Sequence, residues 1–373
     1  MKAIDSKFNI AIIIRNFDQS GGGAERYCVE LTKQLSINHN VAVFCQKIST
    51  RIDNVEFYEI KQKILKPRFI NQLIFSFRTQ SLIKNLDFDI VHSHDIVTHA
   101  DIYTAHVPCF KNFLTNSKGL IKLQHLIRLV FNIRKITYLT LEHKAFNQNK
   151  TIISVSKLLG RNIAQNYRIS SKKFIAYPGI NFNHNFTLKD KKNKEFSILF
   201  IANNFIRKGL KYLINAIELI NDNDIRLLVV GNDKPNSLVI KNKDLLKNIN
   251  FYGKVDDMET FYENADILVH PTHGDTFGMV VLEAMSHGLP VVVSNSEFCG
   301  ISEVLTDNLN ASILNDHKDI KEIASKIREL KNNHKYRQNI SSNALKFAKK
   351  SDWTHTMKST LAAYKYHINS RSK

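Results

Sequence analysis

The chain reads as an α/β protein of two doubly wound, Rossmann-like domains, and three observations lead there. Short apolar runs of strand length alternate with longer stretches of helical periodicity. The alternation breaks at a charged, apolar-poor stretch from Lys189 to Glu195 and then restarts. At 373 residues the chain is long enough for two ordinary cores, so a ligand cleft between domains is expected.

In the first half, Phe8 to Ile14 is an apolar run followed by a glycine-bearing loop and a helical pattern from Ala24 to Leu35. Val41 to Phe44 and Ile90 to His92 are the next strands, each entered from turn or charged residues. Thr151 to Val155 is another strand, followed by a helix from Ser156 and a break at Tyr177-Pro178-Gly179. After the linker come strands at Ser197 to Ile201, Arg226 to Val230, Ile249 to Phe251, Ile267 to His270 and Val291 to Ser294. Helical periodicity then runs over Asp319 to Leu330, Tyr336 to Lys349 and Trp353 to His367. No repeat of 20 to 50 residues stands out.

Charge narrows the partners. Lys and Arg total 53 against 34 Asp and Glu, a formal charge of +19. Such a field favours polyanions: nucleic acid, an anionic membrane face or phosphorylated substrates. The four cysteines, Cys28, Cys45, Cys109 and Cys299, form no CxxC pair and suggest neither a disulfide framework nor a metal site. Phe8 to Ile14 is too short for a signal sequence, and no run reaches the ~18 apolar residues of a membrane span.

Three segments carry chemistry. Gly21-Gly22-Gly23-Ala24-Glu25-Arg26 lies between the first strand and its helix, where Gly22 and Gly23 would let backbone approach a ligand at a helix N-terminus. It is not GxGxxG, and a plain flexible βα turn would need no more than this. Asn203 to Leu210 occupies the equivalent place in the second half. There Arg207 offers a planar fork and Lys208 a compact charge, a poor choice for a merely solvated helix start because the helix dipole repels cations. The third segment runs from His270 through Gly274, Asp275, Thr276, Phe277 and Gly278 to Glu283, Met285, Gly288 and Pro290. The amides of Thr276, Phe277 and Gly278 would seat an anion at a helix start, Glu283 could accept hydrogen bonds from a ribose diol, and Asp275 could meet sugar hydroxyls.

Two other groupings suggest metals and are set aside. Asp87-Phe88-Asp89 resembles a DxD motif but simply enters a strand, and His92, His94, His99 and His106 lack a completing Cys or carboxylate. No metal is expected.

The Asp275-x7-Glu283 pair, Phe277-Gly278, Leu282-Glu283-Ala284-Met285 and Gly288-x-Pro290-Val291 resemble the E-x7-E signature of retaining GT-B glycosyltransferases of family GT4. Arg207-Lys208-Gly209 is similar to that family's diphosphate-binding pair, and Gly21 to Arg26 to its first glycine loop. Tyr103 to Cys109, Leu139 to His143 and Phe205 to Leu210 resemble the subgroup of lipopolysaccharide-core glucosyltransferases that use UDP-glucose. The resemblance implies the GT-B fold, two Rossmann-like domains facing a cleft: an acceptor domain over residues 1–183, a nucleotide-sugar domain over 184–353, and a final helix, 354–373, packing back on the first. It implies that His106 faces the donor sugar near the reacting centre, with Asp275 as the other catalytic position. Aspartate here replaces the family's first glutamate, shortening the reach by one methylene and putting sugar preference in question. No cofactor is implied beyond the nucleotide-sugar substrate.

Between Asp101 and Glu142 there is no acid, while Lys111, Lys118, Lys122, Arg128, Arg134 and Lys135 interleave with Leu, Ile, Val and Phe residues. A basic amphipathic segment of this kind lies on anionic membrane faces, although a buried helix with one solvated basic side has the same composition. The resemblance places a membrane-contacting segment just after His106. The combined expectation is a transferase on the cytosolic face of the inner membrane, moving a hexose, glucose foremost, from a nucleoside diphosphate sugar to a lipopolysaccharide-core or other cell-surface glycan or glycolipid acceptor. Retention without an enzymic nucleophile implies front-face displacement assisted by the leaving phosphate. The alternatives are another GT-B enzyme, an epimerase or a synthase with a soluble acceptor, and a basic nucleic-acid-binding protein. No nucleic-acid-binding signature is present, and nucleic acid is not an expected partner.

Overall fold

The computed structural model describes residues 7–62, 66–115, 119, 121, 124, 132–147, 150–168, 172–182, 195–233 and 245–371. The chain divides into two compact units, one of Met1–Gly179 with Trp353–Lys373 and the other of Ile180–Asp352.

The first unit contains β1 (Asn9–Ile13), β2 (Asn16–Phe17), α1 (Gly23–Ser36), β3 (Asn40–Cys45), β4 (Lys47–Ile48), β5 (Val55–Glu59), α2 (Arg68–Ile83), β6 (Ile90–Ser93) and β7 (Ile102–Ala105). It continues with α3 (Asn112–Thr115), α4 (Ile133–Asn147), β8 (Thr151–Ser154), α5 (Lys157–Asn166) and β9 (Lys173–Ile175). Seven strands form one sheet in the order β5-β3-β1-β6-β7-β8-β9, all parallel, and β2 pairs with β4 in a separate two-stranded sheet just after β1 and β3 in the chain. Every residue of β6, β7 and β8 is buried, the mark of central parallel strands covered on both faces.

The second unit holds β10 (Phe196–Ile201), α6 (Leu210–Ile220), β11 (Ile225–Val230), β12 (Ile249–Gly253), α7 (Glu259–Asn264), β13 (Ile267–His270) and α8 (Met279–Ser286). It ends with β14 (Val291–Ser294), β15 (Ser312–Leu314), α9 (Ile320–Asn332) and α10 (His334–Lys350). Its six parallel strands run β12-β11-β10-β13-β14-β15. α6 buries Leu210, Leu213, Ile214 and Ile217 at helical spacing, and full burial of each contributes about 1.5–3 kcal/mol. Asp319 caps α9 by accepting from the Lys321 and Glu322 amides, while the Glu322 carboxylate accepts from Asn315 and Asp316.

α11 (Trp353–Arg371) returns to the first unit and packs against α1, β8 and β9. Its Trp353 ring meets Tyr27 edge-on at 5.5 Å, Thr356 donates to the Tyr177 carbonyl at 2.6 Å, and Tyr364 Oη lies 2.7 Å from His92 Nδ1.

In each sheet the order reverses beside the first strand, between β1 and β6 in one unit and between β10 and β13 in the other. Successive connections leave such a point in opposite directions, so a crevice opens at the carboxyl ends of those strands. Both candidate sites lie there. The linker Lys189 to Glu195 falls outside the described residues except at Glu195, where the carboxylate pairs with Arg226 at 2.7 Å.

Candidate active site

In the second unit the loop after β10 is held by its own hydrogen bonds. Asn204 Oδ1 accepts from the Arg207 amide at 2.8 Å, its carbonyl accepts from Lys208, and the Phe205 amide donates to Asp233 at 2.7 Å. Phe205 is buried in the core and anchors the loop. The Arg207 carbonyl accepts from the His273 amide at 2.9 Å, which ties this loop to the one after β13. Gly209 makes that approach possible: its φ is +82°, and an added Cβ would sit 2.0 Å from the Pro271 oxygen. Lys208 is thereby half-buried beside the second loop, while Arg207 is exposed.

Lys208 Nζ forms an ion pair with Asp275 Oδ2, and His270 Nε2 lies 3.1 Å from the same oxygen. The carboxylate can only accept, so Nε2 carries the imidazole proton and His270 Nδ1 is a bare acceptor, buried without a partner. Burial opposes the Asp275 charge, but the hydrogen bond from His270 and the nearby Lys208 ammonium win and hold the carboxyl well below the usual range. Burial in turn lowers His270 and keeps it neutral.

The backbone around Asp275 is strapped to Phe298–Ile301. Asp275 donates to Phe298, Gly300 donates to Asp275, and Ile301 donates to Phe277. Gly278, at φ +103°, caps α8, and a Cβ there would lie 2.8 Å from Cys299 Sγ. No side chain caps this helix and its first turn holds no acid. Of the three amides expected to hold an anion, Phe277 points instead toward Asp275 Oδ1 at 3.4 Å. Glu283 stands farther along α8, and its Oε2 accepts from Tyr262 Oη at 2.7 Å. The Tyr262 ring stacks on His287 at 4.9 Å, which fixes the phenol. The structure thus gathers Arg207, Lys208, Asp275, Thr276, Phe277, Gly278 and Glu283 on two adjoining loops and one helix start.

The first unit carries Gly22, Gly23 and His106. Gly22 caps α1 with φ −71°, a conformation open to any residue, and a would-be Cβ there would meet only the movable tip of Glu25 at 2.9 Å. His106 Nε2 lies 2.9 Å from His94 Nδ1, and its ring meets Tyr27 edge-on at 4.9 Å. Burial pushes His106 down to about 3, so the imidazole is neutral at physiological pH. Both histidines line a cavity of about 230 Å³ with Arg15, Glu25, Asp95 and Tyr138. Arg15 Nε and NH2 hold Asp95 Oδ1 at 3.0 and 2.8 Å, while the Arg15 amide donates to Oδ2 at 2.7 Å. His92 pairs with Thr104 and Tyr364, and among the described residues no cluster of three or more metal-ligating side chains forms.

The basic segment is only partly described: Lys118, Lys122 and Arg128 lie outside the described residues. Lys111 departs from the expected surface role, because its ammonium donates to the Asn166 carbonyl at 2.9 Å and lies over the Tyr167 ring. Lys135 sits over the Phe113 ring at 4.6 Å, and Arg134 is exposed between Ile133 and Ile136, themselves 71% and 41% exposed.

His270, Tyr262, Arg15, Asp95 and His94 were not singled out as site residues from sequence. For Arg15 and Asp95 a signal existed: each is the first charged residue beyond a buried strand at the switch point.

Comparison with known proteins gives the family of the chain. Residues 21–184 match the family described as Glycosyltransferase Family 4, and residues 182–347 match Glycosyl transferases group 1. An uncharacterized glycosyltransferase of Methanocaldococcus jannaschii, MJ1178, is 26% identical over 347 residues, 89% of this chain and 91% of the relative. The lipopolysaccharide glucosyltransferase WaaG of Escherichia coli is 26% identical over 250 residues, 61% of this chain and 64% of the relative. A crystal structure of WaaG shares the fold with a TM-score of 0.76 at 21% identity, covering 95% of this chain and 98% of that one. Anabaena HepE in complex with UDP-glucose shares it with a TM-score of 0.67 at 16% identity, covering 95% and 100%. With two parallel Rossmann-like units, and with the two family matches running from residue 21 to 347, the chain is a GT-B glycosyltransferase of the GT4-like type.

Proposed function

We propose that this glycosyltransferase moves glucose from UDP-glucose, with retention of configuration, to a glycan or glycolipid of the cell surface such as a lipopolysaccharide core. The observation that carries the donor assignment is the pairing of Lys208 with Asp275 at the switch point of the second sheet, beside an exposed Arg207 and the uncapped start of α8. Arg207, Lys208 and the amides of Thr276 and Gly278 would hold the diphosphate, Glu283 on its Tyr262 support would take the ribose, and Asp275 would meet the sugar. As the glycosidic bond breaks, negative charge grows on the departing diphosphate, and fixed cations and helix amides stabilise it there. These groups make the reaction metal-independent in this proposal. Glucose and UDP are supported by the names of two similar proteins, WaaG as a lipopolysaccharide glucosyltransferase and HepE in its complex with UDP-glucose.

Asp95 of the first-unit cavity could act as a nucleophile only by breaking its pair with Arg15. That favours front-face displacement, in which the leaving phosphate takes the proton of the acceptor hydroxyl. Arg134 with exposed Ile133 and Ile136 would contact an anionic membrane from its cytosolic side.

The test is a donor screen. UDP-glucose should raise the melting temperature more than GDP- or ADP-glucose, its turnover should survive EDTA, and product NMR should show the donor's anomeric configuration. No response to any nucleotide sugar would remove the donor assignment. Membrane contact is read separately: if Arg134→Glu with Ile133→Asp leaves co-sedimentation with phosphatidylglycerol vesicles unchanged, that face is not the one used.

A further inference from the structure

Beside the His106 cavity the first unit has a larger basin, about 720 Å³, that none of the site residues above explains. The two share Arg15, Asn16 and Glu25 as a common wall. The basin follows the carboxyl edge of the sheet outward, as the strand order dictates. His106 follows β7, Asp95 follows β6 and Arg15 follows β1; then come Lys47 beyond β3 and Lys61 beyond β5, with Arg68 in the first turn of α2.

Charge divides along this path. At the inner end Arg15 is already committed to Asp95, and Glu25 adds a carboxylate. At the outer end Lys47, Lys61 and Arg68 are all exposed, and among the described residues none forms an ion pair. Glu59 is the single acid that joins them on the basin wall. Between the ends lies an amide shelf, where Gln46 Nε2 donates to Gln62 Oε1 at 2.7 Å and to Asn71 Oδ1 at 2.6 Å. Carboxylates and amides suit sugar hydroxyls, whereas three exposed cations with a single acid among them suit a dianion. Neighbouring strands lie ~4.8 Å apart, so from the β7 loop to the β3 and β5 loops is roughly 14–19 Å. That span exceeds one monosaccharide.

We infer that the basin binds an anionic group of the acceptor glycan, a phosphate monoester on a sugar beyond the one that receives the transferred residue. This rests on the proposed transferase reading and adds the acceptor's chemical class to it.

The test is titration calorimetry of the full chain with trehalose 6-phosphate, trehalose and inorganic phosphate as probes. Trehalose 6-phosphate should bind at least tenfold more tightly than trehalose, and more tightly than inorganic phosphate. The preference should vanish in Lys47→Gln/Lys61→Gln/Arg68→Gln and return in Lys47→Arg/Lys61→Arg/Arg68→Lys, which separates charge from misfolding. Equal binding of trehalose and its phosphate overturns the inference, as does a preference that survives the triple Gln variant. A lipid headgroup as the source of the phosphate is tested with phosphatidic acid vesicles. If the triple variant loses vesicle binding while the soluble phosphate shows no preference, the basin is a membrane contact and the inference fails. Failure of the transferase reading shows elsewhere, as absence of nucleotide-sugar binding, and is separately visible.

Discussion

Lys208 and Asp275 come from loops 67 residues apart and form an ion pair that His270 completes on the same carboxylate oxygen. The side chains are 12% and 19% exposed, so the pair is sheltered and leaves only modest screening by solvent. It presets both loops at the switch point. Lys208→Met should therefore weaken nucleotide-sugar binding by at least tenfold, about 1.4 kcal/mol, and lower the melting temperature. Asp275→Asn should lose turnover while binding free UDP within a fewfold of the parent, because Lys208 is released toward the phosphates. Titration with UDP and UDP-glucose distinguishes the two.

Gly209 tests whether the loop geometry is required. Alanine there meets both a left-handed backbone and the Pro271 carbonyl, and the expected loss is about 2–4 kcal/mol in denaturant unfolding. A loss below 0.5 kcal/mol would mean that the two loops do not meet as described.

Tyr262→Phe removes the hydroxyl that holds Glu283 and nothing that touches the diphosphate loop. One lost hydrogen bond of about 1 kcal/mol corresponds to roughly fivefold weaker donor binding, with kcat changed by less than twofold. Equal losses in kcat and kcat/KM would place Glu283 at the reacting centre instead.

His94 acts on His106 through one hydrogen bond, His94 Nδ1 to His106 Nε2 at 2.9 Å. Since that bond occupies Nε2, only His106 Nδ1 remains for another partner. His94→Leu should lower kcat about tenfold at unchanged donor KM, and His94→Asn should recover part of it. If both variants match the parent, the pair has no role in turnover.

Acid should destabilise the first unit. Burial depresses His92 and His106 to about 3, below the ~6.5 of an unfolded chain. The unfolded state then binds more protons across that interval, so stability present above pH 6.5 is lost progressively as pH falls toward 3. The two groups together lose about 4 kcal/mol by pH 5, which corresponds to a melting temperature ~8–16 °C lower for a unit of this size. His92→Asn should flatten this slope between pH 6.5 and 5; an unchanged slope would assign the acid sensitivity to other groups.

Legibility in the sequence followed burial. β1, β6, β10, β11, β13 and β14 stand out as apolar runs because both faces of a central parallel strand are covered. β5 (Val-Glu-Phe-Tyr-Glu) did not, since it is the sheet's edge and contains no fully buried residue. β7 was visible only as part of a family pattern, and the three-residue β9 and β15 are too short to carry a period.

By itself the sequence determined the two-domain α/β class and the local segments in which a site could form. Arg207-Lys208 and the Asp275 to Glu283 stretch are each confined to one turn and helix start, so their spacing alone is informative. Only the tertiary structure decided the pairings: Arg15 with Asp95 across 80 residues, Lys208 with Asp275 across 67, Tyr262 with Glu283 across 21, and Tyr364 with His92 across 272. Strand periodicity records which face is buried but not which strand lies beside which. In a parallel sheet each crossover returns the chain to the same edge, and the order of the strands there sets which side chains meet.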